Sequence, residues 1–539
     1  MNMKRKIKIL LVILCTISIL LILTSVVSAK GILRVAKVYG GLLIDPAQGM
    51  HDRTSRTIIN QVYEPLVFPD TQGNPLPHLA ESWEISSDAL VWTFHIRPGV
   101  KFHSGNELTA EDVKFSMDRL LTIGMGNAYL FSGCIKETEA IDKYTVAFHM
   151  QKPFGPFLST LFLFPIVDKE LVIANIKDTG KYGDMGDYGM EFLLKNGAGS
   201  GPYKIKEYSP GIFFLLEKNP NYWLDMDPYA PDEFKIILTT EAVAIRTMMA
   251  RRELEITDNY QTTESLEALS KIENVKVASF NMSDVYYLEM HTRKPPTDDI
   301  HFRKAMAYAF DYEEAVKLFP GGSLAKGPTS ANLPGTDPSI FYYHRDLDKA
   351  RAELKKSKYY GQLDKYPLEL HCASEILVEE KVGMLFMSNM AEIGITINVK
   401  NLPWLSMLEE SANIETSPNM YSIISPAPYP EAGGHLEQSY HSSTASSPIQ
   451  NEWILDPLFD KMVGDSLKTV NKTDRFLKYR EISKYIIDLC PDIFVAEIPQ
   501  RYAYQAGYVD WPNARGEVIP VAGYEIIARL IKIYPEKIK

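Results

Sequence analysis

Side chains capable of catalysis occur in this chain without the spacing that catalysis needs. The sequence has no Gly-x-Ser-x-Gly elbow and no His-Glu-x-x-His pair, and the glycine-rich residues 197–201 lack the lysine of a phosphate loop. Acids such as Glu64 and Asp112 cannot be paired from sequence into a general acid and a general base. We therefore expect the protein not to be an enzyme, with a hydrolase as the remote alternative.

Metal chemistry has an equally weak basis in the sequence. The eleven histidines are scattered, and His435 and His441 are six residues apart in an apparent loop, a spacing that matches no common metal geometry. Cys134, Cys372 and Cys490 follow the N-terminal apolar segment, and none belongs to a Cys-x-x-Cys motif. They permit at most one disulfide, and three buried thiols are the alternative. We expect no cofactor and no structural metal.

Aromatic and polar side chains in and near a proline-rich segment, residues 423–435, offer binding instead of catalysis. Glu431 is the only acid of this segment. Aromatic faces with a few polar groups suit a peptide, a sugar-containing ligand or an amphipathic ligand. The candidate contacts that these residue types suggest are Tyr429, His435 and Tyr440. Packing in the core is the alternative role for each of them.

Strand patterns dominate the chain from Leu33 to about Tyr222. Alternation of apolar and polar residues predicts a β-hairpin from residues 83–85 and 92–97, with Trp92 among the side chains on its core face. Thr109 followed three residues later by an acid matches a capping pattern, and apolar residues at helical spacing follow it. A hairpin and a capped helix are therefore expected here.

Longer helices are predicted after Val243. Their periodicity and end signals give helices over residues 302–319, 347–358, 379–393, 456–467 and 471–489, and a strand over 395–399. Strand-rich and helix-rich portions in one long chain favour α/β lobes over a repeat protein.

The N-terminus predicts export. Four basic residues precede an apolar run over residues 9–27 and the small-residue site that ends at Ala29, which is the layout of a signal peptide. The run is long enough that an uncleaved membrane anchor is the alternative. Removal of residues 1–29 leaves 53 basic and 68 acidic residues, a net charge of −15. Such a balance argues against a nucleic-acid partner.

Ordered sequence blocks along the chain resemble family 5 solute-binding proteins of ABC importers, a class that includes dipeptide, oligopeptide and nickel binders. The blocks are residues 79–85 (LAESWEI), 92–105 (WTFHIRPGVKFHSG), 108–116 (LTAEDVKFS), 199–205 (GSGPYKI), 218–223 (KNPNYW) and 302–311 (FRKAMAYAFD). The first three blocks build structure, so they identify the family without naming a ligand.

The resemblance implies an α/β fold, a two-lobed periplasmic-binding-protein type II clamshell with an extra subdomain inserted in lobe I. Lobe I would combine residues 31–66, 200–281 and 500–539, and residues 67–199 would form the inserted subdomain. Residues 282–499 would form lobe II. In such a fold the ligand lies between the lobes and hinge closure buries it.

Function and partners are implied in the same way. The resemblance implies an extracytoplasmic, monomeric protein that delivers a peptide or another small-molecule ligand to an ABC permease. It adds five candidate contacts, namely Tyr39, Tyr286, Trp404, Ser425 and Glu431, for which packing is again the alternative role. Peptide binders of the family anchor the ligand's amino group with an aspartate in the segment that corresponds to residues 423–435, which has none here. Oligosaccharides, opine-like conjugates and nickel are therefore alternatives, as is a sensory role.

Overall fold

The computed structural model describes residues 31–38, 43–49, 53–239, 241–337 and 339–538. The predicted signal segment, residues 1–29, and the candidate contact Tyr39 lie outside the described residues. Within the described ranges, no helix has the length and apolarity needed to cross a bilayer.

A four-stranded sheet organises the first half of the molecule. Its strands, in spatial order, are Ile32–Lys37, Glu233–Leu238, Phe213–Lys218 and Tyr203–Ser209. The first two run parallel and the others antiparallel. Leu33 and Phe234 are fully buried, because alternate side chains of each strand face the core.

A second four-stranded sheet is entirely antiparallel. Its strands, in spatial order, are Ala80–Ile85, Val91–Ile96, Thr145–Met150 and Ile135–Asp142. Trp92, Phe94 and Ile96 are buried on one face, and the Phe94 ring meets Phe148 edge to face at 5.6 Å. The predicted hairpin and its core face are confirmed.

The predicted capped helix is Ala110–Ile123. The backbone N–H and the hydroxyl of Thr109 both donate to Asp112 Oδ2, each at 2.9 Å. Gly124, with φ of 68°, ends the helix in the left-handed conformation that favours glycine. The local signals in the sequence therefore specify both ends of this helix.

Removal of the cap should destabilise the protein modestly. We expect Thr109→Ala to lower the free energy of unfolding by about 1 kcal/mol, the usual cost of losing an N-cap hydroxyl. Urea unfolding followed by tryptophan fluorescence measures it. Thr109→Ser retains the hydroxyl and should stay close to wild type, so equal losses in the two variants would contradict the capping role.

Two long strands connect this half to the second half. Val275–Met290 and Asp492–Gln505 pair antiparallel along most of their length, and we call them the crossing strands. Bridges from Ile256 to Val35 and to Tyr504 attach one end of the pair to the first sheet. The predicted lobe boundaries at 281/282 and 499/500 fall inside the crossing strands.

The second half is built on a six-stranded sheet that includes the crossing strands. In spatial order its strands are Ser323–Leu324, Asp492–Gln505, Val275–Met290, Met420–Ser425, Leu368–Ala373 and Ile397–Leu402. Leu368–Ala373 runs parallel to both of its neighbours. Two further two-stranded pairs join Val67–Pro69 to Pro75–Pro77 and Val509–Asp510 to Lys532–Ile533.

Helices cover the sheets. In the first half they are Arg53–Val62, Ala110–Ile123, Tyr129–Ser132, Phe157–Thr160, Lys169–Ile173, Met190–Leu193, Ala242–Ala250 and Thr263–Leu269. In the second half they are Ile300–Ala309, Tyr312–Val316, Leu347–Lys356, Leu377–Ala391, Trp404–Ser411, Ala432–Tyr440, Pro457–Leu467 and Lys472–Leu489.

Two predictions of local structure were wrong. The single helix predicted over residues 302–319 is two helices, because Asp311 interrupts the first and caps the second by accepting a hydrogen bond from the Glu314 N–H at 3.0 Å. The apparent loop at His435 is the helix Ala432–Tyr440, which the sequence did not predict because a Gly-Gly pair and several prolines are unfavourable in helices.

The three cysteines that the structure describes form no disulfide. Cys134, Cys372 and Cys490 are buried free thiols, the second of the two alternatives.

Candidate functional site

An open cleft lies over the middle of the crossing strands. Two adjoining cavities form it and share Asn259, Tyr260, Asp284, Ile376 and Ile424 in their walls. Because they share these residues, we treat the two cavities as parts of one cleft.

Both halves of the molecule contribute to this cleft. The first half supplies the start of the helix Arg53–Val62 and the loop 259–263. The second half supplies residues 375–379 with Lys381, and the end of the strand Met420–Ser425. The crossing strands supply the floor through Asp284 and residues 498–501.

The cleft walls combine apolar surface with a few polar groups. Ile376, Ile423, Ile424, Phe319 and Trp404 provide the apolar surface. The amides of Asn259, Gln261 and Gln500 and the ring of Tyr260 lie among them. This composition is typical of pockets that bind organic solutes, in which a few polar groups fix the ligand's orientation.

Asp284 is the acid on the floor of the cleft. It is 2% exposed, and its Oδ1 accepts a hydrogen bond from Arg53 Nη2 at 2.5 Å. Its Oδ2 meets no donor in hydrogen-bonding geometry within the part of the chain that the structure describes, although Gln500 lies close enough to affect the carboxyl. Burial raises the pKa of the Asp284 carboxyl, and Arg53 and Gln500 oppose the rise.

A second acid reinforces the negative charge at this point. Arg53 also forms an ion pair with Glu525, which is fully buried. One guanidinium therefore serves two carboxylates, Asp284 and Glu525, and leaves one negative charge uncompensated within this group when both are ionised.

The acids of the second half have structural partners. Glu379 accepts a hydrogen bond from the Ala373 N–H at 2.7 Å, and burial raises the pKa of its carboxyl well above the usual value. Glu375 accepts the Trp404 N–H at 3.1 Å at the start of the helix Trp404–Ser411, where negative charge is favourable.

Trp404 is the candidate contact from the sequence that lines the cleft. Its half-buried side chain also packs near Ala373, Met407 and Tyr421. Tyr286 is fully buried beneath the cleft, with its hydroxyl hydrogen-bonded to Ser422 and its ring 5.1 Å from the ring of Phe319.

The remaining candidates lie in a buried cluster behind the cleft wall. Ser425 Oγ accepts from the Gln438 amide at 3.3 Å, and the Ser425 carbonyl accepts from His435 Nε2 at 3.2 Å. The Ser330 N–H donates to His435 Nδ1 at 3.4 Å, so backbone groups use both ring nitrogens. Burial lowers the pKa of His435 to about 4, which keeps the ring neutral at pH 7.

Tyr429, Glu431 and Tyr440 also have protein partners. The Tyr440 hydroxyl donates to Asp492 at 2.6 Å, and the Tyr429 hydroxyl donates to Glu437 at 3.3 Å. Glu431 pairs with Arg475 through two hydrogen bonds, at 2.7 and 3.0 Å. None of these three side chains is among those lining the two cleft cavities, so their proposed ligand contact stays a prediction.

The sequence analysis missed Arg53 and Asp284. Asp284 had a signal in the sequence, because it is an acid in the largely apolar run 282–290, although Glu289 of the same run carries the same signal. A carboxylate in an apolar strand needs a partner, and such residues concentrate at functional sites. Arg53 follows no motif, and only the fold brings it to Asp284.

Known bacterial binding proteins are similar to this chain in sequence. Residues 74–447 match the family model "Bacterial extracellular solute-binding proteins, family 5 Middle". The chain is 27% identical to the probable D,D-dipeptide-binding periplasmic protein DdpA of Escherichia coli K12 over 476 residues, covering 85% of this chain and 87% of that protein.

Solved structures share the fold. The periplasmic binding protein DppA from Helicobacter pylori, in complex with the peptide STSA, superposes with a TM-score of 0.79 at 22% identity, over 93% of this chain and 98% of that one. AgaA from A. tumefaciens R10, in complex with agropinic acid, gives a TM-score of 0.78 at 21% identity, over 94% and 99%. These likenesses confirm the predicted α/β two-lobed fold.

Proposed function

Because this chain belongs to the family 5 bacterial extracellular solute-binding proteins, we propose that it captures a peptide or another small organic solute between its two lobes and delivers it to an ABC permease. The family assigns a binding role and not a catalytic one. The observation that carries the proposal is the cleft itself, which both halves of the molecule line above the crossing strands.

A peptide is the leading ligand class. The relatives DdpA and DppA are named or solved with peptides, and the cleft offers apolar walls for side chains beside polar groups for a backbone. An opine-like conjugate is the second candidate, because the AgaA complex holds such a molecule in the same fold. Oligosaccharides and nickel complexes complete the set to be tested.

Export completes the proposal. The segment 1–29 would direct the protein out of the cytoplasm and would then be cleaved or retained as an anchor. The loaded, closed form would dock as a monomer on the permease. Its predicted lobes are residues 31–66, 200–281 and 500–539 for lobe I, with the subdomain 67–199, and residues 282–499 for lobe II.

A thermal-shift panel tests the function. The purified protein, freed of co-purified ligand, is screened against dipeptides, longer peptides, oligosaccharides, opine-like conjugates and Ni²⁺. A ligand at a hundred times its dissociation constant should add about 2.7 kcal/mol to stability. Stabilisation by none of these compounds would overturn the proposal.

Truncation of Trp404 should weaken binding. We expect Trp404→Ala to raise the dissociation constant of the best ligand about tenfold, because a cleft-lining tryptophan buries much apolar surface against a ligand. Calorimetric titration measures it. The neighbouring Leu405, which is 52% exposed and lies outside the cleft lining, provides the control Leu405→Ala, and equal affinities for the two variants would contradict the assignment.

A further inference from the structure

The floor of the cleft carries a carboxylate oxygen that lacks a donor. Asp284 lines both cavities and is nearly inaccessible, yet within the described part of the chain no donor meets its Oδ2 in hydrogen-bonding geometry, and the nearby Gln500 amide only helps to lower the pKa of the carboxyl. A buried carboxylate oxygen without a donor is costly, and a donor from a bound molecule would remove that cost. Because Asp284 lines both cavities, a molecule bound on the cleft floor would lie beside this carboxylate, and a small movement of the side chain would let Oδ2 meet a donor.

The surrounding charges select the kind of donor. Arg53 supplies the one positive group in direct contact with Asp284, and it is shared with Glu525. Three further cationic side chains also line the cavities, namely Arg56, Lys381 and Arg501. The selection by charge therefore applies at Asp284 itself. A second cation there would be attracted to the group of two carboxylates and one guanidinium, and an anion would be repelled by it. A protonated amine offers both the positive charge and up to three N–H donors, and its hydrogen bond to a carboxylate is stronger than a neutral one.

The segment where peptide binders of the family place their acidic anchor contributes no competing site. Its only acid, Glu431, is held by Arg475 and by the Tyr479 hydroxyl at 3.2 Å, and it does not line the cleft. Glu375 and Glu379 also line the cleft, but on its wall and with the backbone partners described above. Among the described residues, Asp284 is thus the acid on the cleft floor with an oxygen that lacks a donor.

We propose that Asp284 anchors the protonated amine of the transported solute through Oδ2, while Arg53 and Glu525 hold the Asp284 carboxylate in place. This inference rests on the proposed function, since it takes the cleft to be the solute site. The ligand class is a small solute with a protonated amine. A peptide's amino terminus and the amine of a non-peptide conjugate share this chemistry.

The experiment compares ligands with a free and a blocked amine. The probes are the dipeptide Ala-Phe, an opine-like secondary amine, the N-acetyl derivative of each and a neutral oligosaccharide, each titrated calorimetrically into wild-type protein, D284N and D45N. We expect wild type to bind one of the two amine probes, and N-acetylation of that probe to weaken binding roughly 10- to 100-fold, the worth of one charge-assisted hydrogen bond. D284N should lose a similar factor for the free amine and should no longer discriminate between free and blocked forms.

Asp45 provides the matched control. It is a fully buried aspartate that pairs with Arg119 through two hydrogen bonds of 2.7 Å, and it lies outside the cleft lining. D45N should lower thermal stability and keep the discrimination of wild type. If D284N does not fold, equal binding of the free and acetylated probes by wild type still overturns the inference.

The outcomes separate this inference from the proposed function. Equal binding of free and blocked amines by wild type, discrimination that survives in D284N, or binding of the oligosaccharide alone would overturn the amine anchor and leave the solute-binding function standing. Binding of no probe here and of no compound in the thermal-shift panel would overturn both. Ala-Phe binding identifies a peptide amine as the source, and selective binding of the secondary amine identifies a conjugate.

Discussion

Glu431→Gln should lower the free energy of unfolding by about 3–5 kcal/mol, the cost of removing one partner from a buried ion pair. The side chains of Glu431 and Arg475 are 5% and 3% exposed. Arg475 donates twice to the carboxylate and also to the Thr469 and Val470 carbonyls, both at 2.9 Å. The amide of glutamine would turn a donor toward the guanidinium and leave its charge buried and uncompensated.

Urea unfolding and ligand titration of the same variant distinguish two roles for Glu431. A structural ion pair predicts a large loss of stability with little change in the affinity of the folded fraction. A ligand contact predicts the opposite pattern. Glu481→Gln is the control, because Glu481 is 68% exposed and its pair with Lys484 should contribute at most about 0.5 kcal/mol. Unchanged stability of Glu431→Gln would contradict the structural role.

Gly155→Ala should weaken ligand binding about 5- to 150-fold by opposing the arrangement in which the two halves touch. The Gly155 N–H donates to the Leu467 carbonyl at 2.7 Å, across the space between the predicted inserted subdomain and the predicted lobe II. A β-carbon at Gly155 would lie 2.4 Å from both the Thr469 carbonyl oxygen and Arg475 Nη1. Such overpacking costs about 1–3 kcal/mol. Under hinge closure this cost raises the free energy of the closed form relative to the open form, which weakens binding.

Two measurements on Gly155→Ala test this prediction, namely calorimetric titration for the ligand affinity and thermal unfolding of the ligand-free protein for its stability. We expect weaker binding with a nearly unchanged ligand-free melting temperature. Gly464→Ala is the control in the adjoining helix Pro457–Leu467, where a β-carbon meets no atom within 4 Å, and it should leave binding unaltered. A lower ligand-free melting temperature with unchanged affinity would instead show that this contact persists in the open form.

The parts of the fold that sequence predicts well are those with local signals. The hairpin around Trp92 and Phe94 follows from alternation, and the helix after Thr109 follows from its capping pattern. Where signals conflicted, the prediction was wrong, as at Asp311, whose capping side chain divides a continuous apolar pattern into two helices.

The site was harder to predict because it is assembled from distant segments. Arg53 and Asp284 are 231 residues apart, and only the pairing of the crossing strands and the packing of the helix Arg53–Val62 bring them together. The candidates around Glu431 lie close in sequence to the cleft residues Ile424 and Pro426, yet they lie behind the cleft wall, and the residue of the helix Ala432–Tyr440 that lines the cleft is Gln438. Proximity in sequence thus identified the right region of the chain but could not identify which of its side chains face the cleft.

Hydrogen exchange with and without ligand tests the central claim most directly. Protein saturated with the compound that gives the largest thermal shift is compared with ligand-free protein by mass spectrometry. Capture between the lobes predicts slowed exchange in segments from both halves and from the floor, namely residues 259–263, 375–381, 423–426 and 498–501. Protection confined to one half of the molecule, or to segments outside the cleft, would contradict it.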